Sequence, residues 1–536
     1  MIPRMGLTPI VHKECPPFGL TFRLQGRRMP KRRTNMIHRS QSGSSVSGPS
    51  DRGQLHRVEE VATLEARARE HLDGILGFAR GEAQGLELHE VERQVFRQLL
   101  ALGRVVLEAF LAKKGAGEKG ETVTLPDGRE LPRHGTKDRK YLSIFGKIEI
   151  ERAYYWSEGA PGVLPLDEDL NLPERQYSYL LQEWGELLGV EGAFEKVTDL
   201  LETLLRVKFW KQGVELVAKD VSSDVQPFYE DKGKPDGRTE AEVLVAAVDG
   251  KGVPIRRETP RARKLQLKKG EKANKKKESM VTTVYTIGRD VRTSEEVVRE
   301  IRDDATVVET EKRKRPVPKN KRVRATMAGK DAAFEEVRRQ FEERDPKGKK
   351  ERVVLTDGDD ALLIRAKKIL SGPSPIVRIL DIMHVLSYLW TASRAFHKEG
   401  SAEGARWVMH RLKLLLEGKV GYVIGGLRQS ITKHDLSGRK RAKVQKAIEY
   451  MAKRREYMAY DEYLAQGYPI GSGVVEGACR SLVKDRMEGP GMRWSVQGAQ
   501  AILDLRAVRM NRDWEEFWEY RVRKERERLY GLRKAS

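Results

Sequence analysis

Three short apolar runs, each followed directly by an aspartate, limit what this chain can become. They are Ala241-Glu-Val-Leu-Val-Ala-Ala-Val-Asp-Gly250, Glu351-Arg-Val-Val-Leu-Thr-Asp357 and Ile376-Val-Arg-Ile-Leu-Asp381. Runs of this length, rich in β-branched residues and bounded by Gly, Pro or Asp, read as strands. Val281-Thr-Thr-Val-Tyr-Thr-Ile287 reads as a fourth. Helical patterns over residues 332–341 and 359–370 lie among them, which gives an α/β core. In this reading Asp249 ends its strand and the chain turns at Gly250, as Asp-Gly often does.

The rest of the chain is mainly helical in pattern. From 52 to about 114, Val58, Val61, Leu64, Val91, Phe96, Leu99, Leu100 and Leu107 recur, many at three- and four-residue steps, before a break at 115–120. Residues 141–156 read as a small β-hairpin turning at Phe145-Gly146, followed by a loop over 159–173 and helices from 177 to about 217. Residues from 381 to about 463 are almost wholly helical in pattern, and helices over 470–487 and 496–510 come after them. The expected organisation is a disordered basic arm (1–50), a helical region (51–120), and a hairpin and helical region for DNA binding or dimerisation (121–235). The α/β core takes 236–385 with 466–512, a helical insertion takes 386–465, and a basic helix takes 513–536.

Charge narrows the partners. Lys and Arg number 102 against 79 Asp and Glu, a formal net charge of +23. The excess is clustered, which points to a polyanion and to nucleic acid ahead of a membrane surface. Nothing approaches the 18 or so apolar residues of a membrane span. Two basic stretches interrupt the core region. One covers 256–277 and includes Lys275, Lys276 and Lys277; the other holds Lys312 to Arg315 and continues over 319–324. Both read as exposed loops forming a rim for nucleic-acid backbone. Two cysteines, Cys15 and Cys479, are too few for a disulfide framework or a zinc finger, and they fit a reducing, cytoplasmic setting. The first 50 residues carry nine Lys/Arg, one acid and no signal-peptide core.

Among the acids, Asp249, Asp357 and Glu476 stand out by context. The first two follow apolar strands, and Glu476 lies in a helix after Gly471-Ser-Gly473. Phosphodiester cleavage and strand transfer build charge on both the attacking and the leaving oxygen. Two Mg²⁺ (or Mn²⁺) ions about 3.5–4 Å apart stabilise both, and such hard cations take carboxylate ligands. Each acid alone has a plainer reading: a turn for Asp249, helix capping for Asp359 and Asp360, a surface charge for Glu476. The ordered set in a basic chain favours metal ligation. Arg480, four residues after Glu476, and Lys484, four further on, share its helical face and are expected to hold flanking phosphates. Trp390, Trp407 and Trp494 are core aromatics, or platforms for an unpaired base.

The segment Pro469-Ile-Gly-Ser-Gly-Val-Val-Glu-Gly-Ala-Cys-Arg-Ser-Leu-Val-Lys-Asp-Arg-Met487, with Gly491-Met-Arg-Trp-Ser495, resembles the C-terminal signature of bacterial insertion-sequence transposases of the ISKra type. These are relatives of the Mutator-like DDE transposases. Val248-Asp-Gly-Lys-Gly-Val253 and Leu355-Thr-Asp-Gly358 are similar to that family's first two acidic motifs, and Phe145-Gly-Lys-Ile-Glu-Ile-Glu-Arg152 to its N-terminal region. The resemblance runs over about 130–520. It implies an RNase H-like core with an all-helical insertion between the second and third acids. It also implies metal-dependent cleavage and strand transfer of terminal inverted repeats, with double-stranded DNA as partner and at least a dimer as the working form. Asp381-Ile-Met-His384 is similar to the acid-x-x-His motif of the Mutator-like relatives, so Asp381 and His384 are expected beside the site. The Cys pair that relatives carry after the hairpin tyrosines is missing from Tyr154-Tyr-Trp-Ser-Glu-Gly159, so no zinc is expected there. Three alternatives remain open: an RNase H-like nuclease without strand transfer, a non-catalytic DNA-binding regulator, and an RNA-binding protein.

Overall fold

The computed structural model describes residues 50–256, 276–302, 315–370 and 375–531. The chain divides into two units, Met1–Leu55 and His56–Ser536. Among the described residues the first unit holds only the start of one helix, and every other element belongs to the second. The basic arm, Lys275 and Lys312 to Lys314 lie outside the described residues.

Helices α1 (Ser50–Arg80) and α2 (Leu88–Lys114) lead the chain, so the continuous helical reading breaks at 81–87. A three-stranded antiparallel sheet comes next: β1 (Thr122–Thr124), β2 (Glu130–Ser143) and β3 (Gly146–Tyr155). The hairpin starts eleven residues earlier than its pattern suggested, because the first part of β2 is polar and largely exposed. A short helix, α3 (Pro165–Asp169), sits inside the expected loop. Then come α4 (Tyr179–Gly189), α5 (Phe194–Leu205), α6 (Lys211–Ser222) and α7 (Val225–Lys232).

The main sheet is built from β4 (Val243–Pro254), β5 (Lys276–Ile287), β6 (Lys319–Thr326), β7 (Glu351–Thr356) and β8 (Ile376–Leu380), in spatial order β6-β5-β4-β7-β8. β4 pairs antiparallel with β5, and β5 with β6, whereas β4, β7 and β8 run parallel. The connections carry α8 (Ser294–Arg302), α9 (Lys330–Arg344) and α10 (Asp360–Lys368). Leu244, Ala246 and Val248 pack with Phe334, Val337 and Phe341 of α9 and Leu362 of α10. Val243, Val245 and Ala247 point the other way, into a core that includes Val217 of α6. A strand covered on both faces is apolar throughout, which is why residues 243–248 show no alternation.

Three strand readings need correction. β4 does not turn at Gly250. Its ladder with β5 continues from Val243↔Ile287 to Pro254↔Lys276. Gly250 serves a close cross-strand approach instead, since a Cβ there would lie 2.6 Å from Glu278 Oε1. Residues 319–324 are not loop but most of β6. Val323 and Ala325 face inward, while Lys319 and Lys321 stay exposed. Charged residues on an edge strand discourage further pairing, and they disguise the strand in the sequence. Lys276 and Lys277 likewise begin β5 rather than lying in a loop.

After β8 come α11 (Ile382–Ser393), α12 (Ala402–Leu416), α13 (Val420–Lys433), α14 (Gly438–Lys453) and α15 (Tyr460–Ala465). The chain returns to the sheet with α16 (Gly473–Ala478), a π-helical turn over Cys479–Lys484 and α17 (Asp485–Met487). α18 (Val496–Met510) packs on α6 and β6, and α19 (Trp514–Tyr530) packs on α7 and α3. Buried residues of α4–α7 share one core with the sheet, so the boundary expected at 235 does not separate two cores. α19 is held down by buried Arg521, which meets Asp224 at 2.5 Å and is flanked within its own helix by Glu525 at 2.6 Å. Among the described residues no helix is long and apolar enough to cross a membrane.

Candidate functional site

Strand register puts three aspartates side by side. The last β4–β7 pair is Val248↔Thr356, so Asp249 and Asp357 are the next residues on neighbouring parallel strands. The last β7–β8 pair is Thr356↔Leu380, so Asp381 comes next in the same row. All three sit where the parallel ladders end, at the carboxyl side of the sheet, the usual place for ligands in open α/β sheets. Asp249 and Asp357 are half-buried and Asp381 is fully buried. The Gly250 N–H donates to Asp249 Oδ1 at 2.6 Å, and the Asp359 N–H donates to Asp357 Oδ1 at 2.8 Å. Gly358 lets the chain leave the row: its φ is +82°, and a Cβ would lie 2.5 Å from Leu380 Cδ1.

The fourth acid comes from across the chain. α16 packs on β4 and β5 and carries Glu476, which is 47% exposed. Two contacts fasten the approach to α16 beside Asp381. The Ile382 N–H donates to the Ile470 carbonyl at 3.0 Å, and the Ser472 hydroxyl donates to Asp381 Oδ2 in a short hydrogen bond. The other Asp381 oxygen accepts the Met383 N–H at 2.9 Å and so caps α11. His384, in the first turn of α11, has Nε2 4.0 Å from Asp381 and 3.8 Å from Glu476. Ligand atoms of Asp381, His384 and Glu476 all lie within 4.8 Å of one another.

Electrostatics tie the two groups of acids together. Burial raises the Asp357 carboxyl, and the Asp249 charge raises it further while His384 opposes. Burial also raises Glu476, with Asp381 and then Asp249 adding to the effect and His384 opposing. The Asp249 charge thus acts on both Asp357 and Glu476, whereas the ligand-distance group that includes Glu476 is completed by Asp381 and His384 rather than by the two expected aspartates. Among the described residues, Asp381, His384 and Glu476 form the group whose ligand atoms lie close enough to hold a metal ion, and two carboxylates with an imidazole suit a hard or borderline divalent cation. The neighbouring Cys479 thiol is pushed up by burial and then by Asp249.

The expected phosphate holders fare differently. From Cys479 the helix widens into i→i+5 bonding, so a step of four residues no longer repeats one face. Arg480 and Lys484 are exposed, and Arg480 lies 4.0 Å from Asp485. Lys276 Nζ pairs with Glu488 at 2.8 Å, and Lys277 is exposed. Trp494 is a buried core aromatic: its N–H donates to the Met487 carbonyl at 3.1 Å, and Arg486 lies 4.7 Å from the ring centroid. Trp390 and Trp407 pack, partly buried, against the same core.

Sequence reasoning missed the residues that hold the acidic row in place. The Tyr450 hydroxyl donates to the Asp357 carbonyl at 2.6 Å, and Arg454 Nε donates to the Gly358 carbonyl. The Tyr460 hydroxyl donates to the Leu380 carbonyl at 2.8 Å. Their only signal was a cluster of tyrosines at 450, 457, 460 and 463 in a charged stretch. Compared with known proteins, the chain matches no family model and no curated protein.

Proposed function

We propose that this chain is a DDE transposase of the insertion-sequence type, cutting the DNA ends of its element and joining them to a target. One observation carries the reading: Asp249 and Asp357 are adjacent where the parallel β4–β7 ladder stops, and the distant helix α16, which carries Glu476, packs on β4 and β5 beside them. Support for an RNase H-like core comes from the strand order, three antiparallel strands continued by two parallel ones. The long helical segment between the second and third acids agrees with it.

Mg²⁺ or Mn²⁺, as a pair of ions, would stabilise the attacking and leaving oxygens and ease deprotonation of the attacking water or 3′-hydroxyl. Asp249, Asp357 and Glu476 would hold them. Asp381, buried and accepting two hydrogen bonds, fixes the approach to α16 and thereby aims Glu476. His384 stands between Asp381 and Glu476, where a protonated or donor imidazole steadies the carboxylates or a substrate phosphate. The partner in this reading is duplex DNA, bound by at least two copies that bring two ends together.

The test uses a duplex carrying the DNA that flanks the gene, with Mg²⁺. Asp249→Asn, Asp357→Asn and Glu476→Gln should each lower cleavage by roughly a thousandfold or more, with thermal unfolding unchanged or shifted upward. Cleavage retained in all three would overturn the reading. Joining of a pre-cut end to a second duplex separates a transposase from a nuclease.

A further inference from the structure

We infer that one face of α14 is a track for the phosphate backbone of duplex DNA, leading into the acidic site. The inference rests on the reading of the chain as a DNA-cutting enzyme and identifies where substrate outside the site is held. Arg439, Lys443, Lys446 and Tyr450 succeed one another at steps of four, three and four residues, so they lie along one side of the helix. The three basic residues are exposed.

The inner end of this line is fixed. Tyr450 bonds the Asp357 carbonyl at 2.6 Å and stacks on Tyr388, with ring centroids 3.9 Å apart and planes at 14°. Lys446 Nζ lies 5.7 Å from the Tyr388 ring centroid. Tyr388 is one helical turn beyond His384, whose imidazole approaches Glu476 at 3.8 Å. A row of cations thus ends at an aromatic pair beside the carboxylates.

A solvated charged helix is the ordinary explanation for such a row, and α9 shows what that looks like. There Arg338 meets Glu335 and Glu342 at 2.7 Å each, and Arg339 meets Glu336 at 2.8 Å and Glu343 at 2.5 Å. α14 has six Lys/Arg and a single acid, Glu449, which takes a hydrogen bond from Gln445 at 3.0 Å. Among the described residues no carboxylate pairs with Arg439, Lys443 or Lys446. Leaving that much like charge uncompensated suits a polyanion partner. From Arg439 to Lys446 the helix rises about 10 Å. Each strand of a duplex carries a charge about every 3.4 Å along its axis, so the span matches about three phosphates.

Binding of the full-length chain to a short labelled DNA duplex, measured in EDTA across a range of NaCl concentrations, tests this without requiring cleavage. Replacing Arg439, Lys443 and Lys446 by Gln together should reduce the slope of log K against log[NaCl] by about 2–3. Lys443→Gln alone should reduce it by about 0.9, and Arg338→Gln with Arg339→Gln on α9 should not change it. An unchanged slope in the triple variant, or an equal change in the α9 variant, would overturn the track. So would duplex RNA or single-stranded DNA competing as well as duplex DNA and losing as much from the triple substitution. Because no metal is present, a failure of the cleavage reading leaves this slope untouched, and a failure of the track leaves the carboxylate variants' result standing.

Discussion

The two flanks of β4 are built differently. Toward β5 its ladder is unbroken to Pro254, past the catalytic candidate Asp249. Toward β7 it stops at Val248, one residue short of it. Beyond that point backbone pairing gives way to single contacts: Tyr450 on the Asp357 carbonyl, Arg454 on the Gly358 carbonyl, Tyr460 on the Leu380 carbonyl and Ser472 on Asp381. The comparison teaches where a sheet can carry chemistry. A regular ladder fixes strands and leaves no room between them, whereas its end lets neighbouring carboxylates meet a group from another part of the chain. The helical insertion, an appendage by its sequence pattern, then supplies part of the scaffold of that open end.

If side chains hold the open flank, removing them should cost more than changes on the sealed one. The largest effect is expected from Asp381→Ala. It strips the Met383 N–H and the Ser472 hydroxyl of a fully buried acceptor, and should lower stability to urea by about 2–4 kcal/mol. A loss under about 0.5 kcal/mol would mean that the flank is held otherwise.

Asp504 sharpens the contrast from the other side. It sits in α18 near β6, takes a hydrogen bond from Gln500 at 3.0 Å and is pushed up by burial to about 6. Its folded-state value lies above that of an unfolded aspartate, about 3.9. Its favourable contribution is therefore complete below pH about 4 and lost as pH rises through about 6. Asp504→Asn should remove that decline and stabilise the protein at pH 7 by about 1–2 kcal/mol. A wild-type decline that persists in the variant contradicts the assignment.

Tyr450→Phe keeps the stack on Tyr388 and loses one hydrogen bond, a change of about 1 kcal/mol in the same urea titration. Lys277→Ala, exposed in the sealed β4–β5 ladder, should stay within about 0.5 kcal/mol.

The elements easiest to read were the three parallel strands. Residues 243–248 are apolar throughout because both faces are covered, and 351–356 and 376–380 showed as short β-branched runs despite Arg352 and Arg378, so the aspartates that end these runs were legible. β6 was hidden, because an edge strand that opens Lys-Asn-Lys-Arg, with Val323 as its first apolar residue, looks like a charged loop. The end of β4 was misplaced, since Asp-Gly is a turn signal unless the partner strand is known to continue. The π-helical turn after Glu476 left no periodic trace, so Arg480 and Lys484 were assigned to one regular face. Glu476 was found through its glycine-flanked motif, but its fastening through Ser472 and Asp381 joins distant segments that no local pattern connects. Tyr450 and the basic side of α14 were read only as part of a long helical stretch.

The most direct test of the central claim is anomalous diffraction from crystals of the full-length chain grown with Mn²⁺. The account predicts manganese peaks within inner-sphere reach of carboxylate oxygens of Asp249, Asp357 and Glu476. Manganese bound only elsewhere, or those three side chains turned away from a common centre with no metal between them, would contradict it.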